Sequence, residues 1–281
     1  MTRYILTLIL FPKNLKSIPI DMKAHTKESQ AAMTPETSLQ ALKDGNERFI
    51  TATQVVRDLN AQVEATSTGQ YPFATVLHCI DSRVSAEHIF DQGIGDLFSI
   101  RIAGNFVNED ILGSMEFACK LAGTKVLVVL GHTACGAVKG ACDHARMGNL
   151  TTLINKIEPA VAAVSEPADE SLRNSKNIDF VNQVAEKNVM MTIENIRNQS
   201  PVLVEMEKNH EIKIIESDEV ALGINSNSAV CFSQDSSYYK TMGNLSGEIS
   251  MIICAKSIAV SGKCPVQNDL KQGDQAYLIE W

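Results

Sequence analysis

Apolar residues gather in a few short runs, separated by longer stretches where they recur every three or four positions. The runs "FATVLHC" (73–79), "LFSIRI" (97–102) and "KVLVVLG" (125–131) have the length and character of buried strands. Between the second and third, "NEDILGSMEFACKLAG" reads as a helix ending at Gly123. Upstream, "MTPETSLQALKDGNERFI" predicts another helix. Thr34 or Thr37 can cap it, Pro35 suits its first turn, and Leu39, Leu42, Phe49 and Ile50 form an apolar stripe that breaks at Gly45. Residues 151–200 read as largely helical around a polar break, "EPADESLRNSKN". "PVLVEMEKNHEIKII" then gives a helix or strand, followed by a strand. Strands alternating with helices predict an α/β fold, with a mostly parallel central β-sheet flanked by α-helices and an N-terminal helical arm.

The pattern fades at both ends. "MTRYILTLILFPKNLKSIP" places an apolar run after a basic residue, a weak signal-peptide pattern that Pro12, Lys13 and Lys16 end early. Beyond Ile215 the chain is rich in Ser, Asn and Gly and shows no strong period. The expected organisation is an N-terminal extension over 1–32, a central folded domain over 33–215 and an appendage over 216–281. The expected compartment is the cytoplasm, or the periplasm where residues 1–32 act as a signal.

Composition narrows the function classes. With 44% hydrophobic and 21% charged residues, the 281-residue chain can bury a substantial core. A net charge of -8 argues against nucleic acid as a partner, since phosphate binding needs a basic face. No apolar run approaches the ~20 residues of a membrane-spanning helix, so no membrane partner is expected. The seven cysteines are odd in number and scattered, which points to a reducing compartment or a metal site rather than a disulfide framework.

The chemistry concentrates where predicted strands end. Open parallel sheets form sites at the carboxyl edges of their strands. Cys79 ends one such strand, and "GHTACGAV" places His132 just after another, with Cys135 three residues on at the start of a helix. Two cysteines and a histidine are a zinc-type ligand set, and three protein ligands are what a catalytic zinc keeps. A helix N-terminus favours the thiolate that a metal needs. Alternatively, the cysteines are small core residues and His132 a hydrogen-bonded loop histidine. Coincidence of all three at strand ends, beside Gly131 and Gly136, favours the metal. Cys119 and Cys142, on predicted helices, read as buried free thiols.

"CIDSR", "GDLFSIRIAGN" and "GHTACGAV" together resemble the β-class carbonic anhydrases of bacterial type, over roughly residues 33–215. The resemblance implies one Zn2+ per chain, held by Cys79, His132 and Cys135. It implies a lyase that reversibly hydrates carbon dioxide to bicarbonate and a proton, by attack of zinc-bound hydroxide on CO2. Asp81 and Arg83 would form the family's Asp–Arg pair, in which Asp81 accepts the hydroxide's proton and Arg83 holds Asp81 ionised. Asp81 is also a conditional fourth zinc ligand. The regulated subtype carries a tryptophan where this chain has Val76. Gln70 instead matches the glutamine that hydrogen-bonds substrate in the constitutively open subtype. Phe98, Ala103 and Gly104 match positions lining the substrate pocket, and a homodimer or homotetramer is implied.

The chain departs from the family after Ile215, where an edge strand with glycine and tyrosine is expected. Two rival readings keep the zinc: a carbon disulfide or carbonyl sulfide hydrolase on the same scaffold, and a non-catalytic zinc-stabilised interaction protein. The Asp81–Arg83 pair argues against the second. His88 and His144 are candidate proton shuttles by residue type alone. No glycine-rich phosphate loop supports a nucleotide site.

Overall fold

The computed structural model describes residues 24–215 and the backbone of Ile20–Asp21; the 216–281 appendage and most of the 1–32 extension lie outside the described residues. The strands are β1 (Ile20–Asp21), β2 (Val56–Arg57), β3 (Ala74–His78), β4 (Leu97–Arg101), β5 (Val126–Leu130) and β6 (Lys213–Ile214). The helices are α1 (Lys27–Ala31), α2 (Pro35–Ile50), α3 (Leu59–Thr66), α4 (Ala86–Ile89) and α5 (Glu109–Glu116), then α6 (Gly136–Cys142), α7 (Gly148–Ala163), α8 (Ile178–Gln199) and α9 (Pro201–Lys208).

Local chemistry starts the helices where the sequence signals them. Thr34 caps α2, its hydroxyl accepting from the Thr37 N–H, with Pro35 in the first turn. Asn108, Asn177 and Ser200 cap α5, α8 and α9 in the same way. α5 continues into a π-helical turn over Phe117–Leu121 before the chain turns at Gly123, where φ is +86°. The polar break between α7 and α8 holds a short 3-10 turn over Glu170–Leu172.

Gly45 corrects one expectation: it does not break α2, which runs through it. A Cβ built there would lie 1.7 Å from the Phe90 carbonyl oxygen, so only glycine lets α2 pass this close to the end of α4. α1 lies before the boundary expected at residue 33, yet it is tied to the body. The Gln30 side-chain amide donates to the carbonyls of Pro72 and Ala122, at 2.6 and 2.8 Å.

The central sheet among the described residues is parallel, in the order β4-β3-β5-β6. β3 and β5 are buried along their whole length because both faces are covered, which explains their unbroken apolar runs. Val76, Val128 and Leu130 pack with Leu39 and Leu42 of α2 and Ile89 of α4 on one face. Leu77, Leu127 and Val129 pack with Met115 of α5, Ile193 and Ile196 of α8 and Leu203 of α9 on the other. A third cluster joins α6, α7 and α8 around Cys79 and Cys135. No described helix is long and apolar enough to cross a membrane.

Candidate metal centre

From β3 the chain runs to α4, on the face packed by α2. From neighbouring β5 it runs to α6, which packs against α8. Two adjacent strands whose connections leave in opposite directions open a crevice at their carboxyl ends. Cys79 enters it directly after β3, and His132 and Cys135 enter it after β5.

Their ligand atoms lie within 4.8 Å of one another, and the two Sγ atoms are 3.9 Å apart. Zinc–sulfur bonds of ~2.3 Å in a tetrahedron put two sulfurs ~3.8 Å apart, so the spacing of the two Sγ atoms fits zinc. The histidine is set for the same task. His132 Nδ1 lies 3.0 Å from the Thr133 carbonyl oxygen, which can only accept, so Nδ1 carries the proton and Nε2 the free lone pair. Nε2 is buried and makes no hydrogen bond. A buried acceptor left bare is costly unless something fills it.

The loop between His132 and Cys135 bends through Ala134, at φ +53°, whose N–H donates to Asn182 Oδ1 at 2.9 Å. Cys135 then stands at the N-cap position of α6, where the nearby N–H groups of Ala137 and Val138 favour its thiolate. Across the crevice, the Gly104 N–H donates to Cys79 Sγ at 3.4 Å, and Asn188 Nδ2 holds the Gly104 carbonyl at 2.8 Å. Gly104 has φ +81°, and a Cβ there would come 2.4 Å from Ile157 Cδ1. The positive φ strains any other residue there, and a methyl would also push Ile157 aside.

Electrostatics also call for a cation. Hydrogen bonding from Cys135 pulls the Cys79 thiol down to about 4, against burial and with help from the Gly104 N–H. Cys135 is pushed up by that same bond, by burial and by the charge on Cys79. Without a cation the pair thus holds one negative charge and shares one proton; a divalent ion would stabilise both thiolates. Cys119 and Cys142, outside the crevice, are buried thiols that burial raises to about 11.

Asp81 sits at the mouth. Arg83 grips it in a two-pronged pair, Nε to Oδ1 at 2.9 Å and Nη2 to Oδ2 at 2.8 Å, and the Arg83 N–H adds a third bond at 3.0 Å. The Arg83 side chain pulls the Asp81 carboxyl down to about 2, against partial burial. Asp81 Oδ2 lies 4.0 Å from His132 Nε2. The structure therefore brings Cys79, His132, Cys135, Asp81 and Arg83 together.

The expected substrate residues divide. Gly104 touches Cys79 and half-buried Ala103 precedes it in the same turn. Gln70 is exposed and precedes β3, at the end of that strand opposite Cys79. Phe98 pairs in register with Thr75, ~13 Å along the strand from Cys79. It packs edge-on against Phe117, centroids 6.2 Å apart, beside a separate cavity of about 570 Å³. His88 is exposed on α4, and His144 is paired with Glu158 at 3.0 Å. Asn182, Asn188 and Arg101 escaped sequence reading. They act through backbone groups far along the chain, and no spacing signals that.

The sequence profile of a family described as carbonic anhydrase matches residues 74–217. The chain belongs to this family, in its β-class. Carbonic anhydrase 2 of Mycobacterium tuberculosis is 38% identical over 133 residues, covering 45% of this chain and 64% of the relative. The carbonic anhydrase of Mycolicibacterium smegmatis is also 38% identical over 133 residues, covering 45% of this chain and 65% of the relative. The chain thus spans just under two thirds of the length of these relatives. Two solved structures share the fold. The β-carbonic anhydrase CcaA has a TM-score of 0.51 at 20% identity, covering 68% of this chain and 89% of that one. The β-carbonic anhydrase CafA of Aspergillus fumigatus has a TM-score of 0.50 at 23% identity, covering 58% and 75%.

Proposed function

We propose that this chain is a zinc lyase that reversibly hydrates carbon dioxide to bicarbonate and a proton. One Zn2+ per chain is held by Cys79 Sγ, His132 Nε2 and Cys135 Sγ. The observation that carries the reading is the Asp81 carboxylate, clamped by Arg83 beside a cluster that stops at three metal donors among the described residues. A purely structural zinc takes a fourth protein ligand and has no use for such a pair.

Zinc bound there supplies a water acidified toward neutral pH. Asp81 Oδ2 would accept a hydrogen bond from the attacking oxygen and so aim its lone pair at the carbon of CO2. Arg83 keeps that carboxylate ionised and fixed. For Asp81 to become a fourth ligand it must first leave three hydrogen bonds of 2.8–3.0 Å from Arg83, which favours the open state near neutrality. Ala103 and Gly104 border the site from the turn after β4. The substrate-orienting roles of Gln70 and Phe98 require a second protomer, because both lie too far along the strands of their own chain. A homodimer or homotetramer supplies one.

The test measures zinc content and CO2 hydration together, on the parent and on Asp81→Asn, from neutral to alkaline pH. One zinc per chain, with hydration that Asp81→Asn depresses about 100-fold or more while zinc stays, supports the assignment. A zinc-loaded parent that never hydrates CO2 overturns it, and activity on carbon disulfide or carbonyl sulfide would then name the substrate.

A further inference from the structure

β4 ends at Arg101, which pairs in register with His78, the last residue of β3. The final ladder bond runs from the Ile102 N–H to the His78 carbonyl. Beyond it, the segment Cys79–Ile80–Asp81 has left the sheet; the Asp81 carbonyl accepts from the Val84 N–H at 3.0 Å within the loop, but no strand bond ties it or the Cys79 carbonyl to the sheet. Arg101 takes up both. Its Nε donates to the Cys79 carbonyl at 3.2 Å, and its Nη2 donates to the Asp81 carbonyl at 2.8 Å. Among the described residues Arg101 makes no ion pair, so the guanidinium spends these donors on backbone alone.

We infer that Arg101 is a positioning residue that sets the proposed metal ligand Cys79 and the hydrogen-bond acceptor Asp81 in one fixed relation. This rests on the zinc-enzyme reading given above.

A guanidinium is planar and rigid, so its two donors fix the separation and tilt of the carbonyls they hold. Those carbonyls bracket Ile80 and Asp81. Fixing them sets the direction in which each neighbouring Cα projects its side chain, Sγ on one side and the carboxylate on the other. Arg83 cannot do this alone. It holds the Asp81 carboxylate but touches neither Cys79 nor the sheet, and its side chain is 56% exposed. Arg101 ties the same segment to the end of β4, the rigid part of the frame. A misplacement of about 1 Å between reacting groups costs on the order of 100-fold in rate. A lysine at this position reaches one carbonyl, not both. The bland account is a strand-end cap, whose loss lowers stability and changes nothing at the metal.

The two accounts separate in Arg101→Ala and Arg101→Lys, each loaded with zinc and, in parallel, with cobalt(II). We expect Arg101→Ala to shift the thiolate-to-cobalt charge-transfer band and to raise metal loss to a chelator about tenfold or more. With zinc saturating, kcat falls by about tenfold or more while KM changes little. Arg101→Lys falls between alanine and the parent in all three readouts. The inference is overturned if the alanine variant melts lower yet keeps the parent's cobalt spectrum, metal-loss rate and kcat. Should the alanine variant fail to fold, a lysine variant indistinguishable from the parent overturns it equally. A parent that binds cobalt but does not hydrate CO2 defeats the proposed reaction, while the spectrum and chelator comparison still decide the role of Arg101.

Discussion

Glycine inside a helix ordinarily invites replacement by alanine, which gains about 1 kcal/mol from helix propensity. At Gly45 the structure reverses the sign. The added Cβ would stand 1.7 Å from the Phe90 oxygen and 2.7 Å from its carbonyl carbon, and both are backbone atoms that cannot swing aside. Comfortable carbon contacts begin near ~3.5 Å, so α2 and the end of α4 must part by well over ~1 Å. The shortest bonds across that seam run from Asn46 Nδ2 to the Ile89 carbonyl at 3.1 Å and from Arg48 Nε to Asp91 at 2.5 Å. Losing both costs about 2 kcal/mol, and the overpacking itself about 1–3 kcal/mol. After the propensity gain, Gly45→Ala should destabilise by about 2–4 kcal/mol. Gly113, inside α5, is the control, because a Cβ there meets nothing within 4 Å. Gly113→Ala should gain up to about 1 kcal/mol. Urea unfolding of metal-loaded protein, followed by far-UV circular dichroism at constant m, measures both. A Gly45→Ala variant as stable as the parent, beside a normal Gly113→Ala, would refute the reasoning.

Two further outcomes follow from the buried charges. Burial would raise the Asp91 carboxyl, but hydrogen bonds from Arg48 and Arg57 outweigh it and leave the pKa below the ordinary value. Its stabilisation is therefore complete above the unfolded value of ~3.9 and fades as pH falls through the lower folded value. Asp91→Asn should cost about 3–5 kcal/mol at neutral pH and converge with the parent in acid; unfolding curves that stay parallel down to strong acid would contradict this. In metal-free protein, near-ultraviolet thiolate absorbance should show one ionisation at about 4 that Cys79→Ser removes, while Cys119 and Cys142 hold out to about 11. A first thiolate appearing only near the ordinary ~8.5 would show that Cys135 does not share its proton. Added zinc should eliminate the remaining proton of the pair.

The sequence alone determined the strand runs of β3, β4 and β5 and the capped starts of α2 and α5, and it singled out Cys79, His132 and Cys135, whose donor atoms the structure brings together. Each is a local matter: an apolar run, a cap, a residue type at a strand end. Asp81 and Arg83 were legible for the same reason, standing two residues apart in one loop. Only the tertiary structure decided that Gly45 is a crossing point rather than a break, since Phe90 is remote in sequence. It alone placed Gly104 against Cys79, because the contact spans two strands and needs Ile157 and Asn188 to define the space. It alone put Gln70 and Phe98 beyond reach of their own chain's metal centre, since a motif preserves spacing along the chain but not which end of a strand a residue occupies. Arg101 was visible as a letter and silent as a role. Its work is done on carbonyl groups, which every residue carries and no sequence distinguishes.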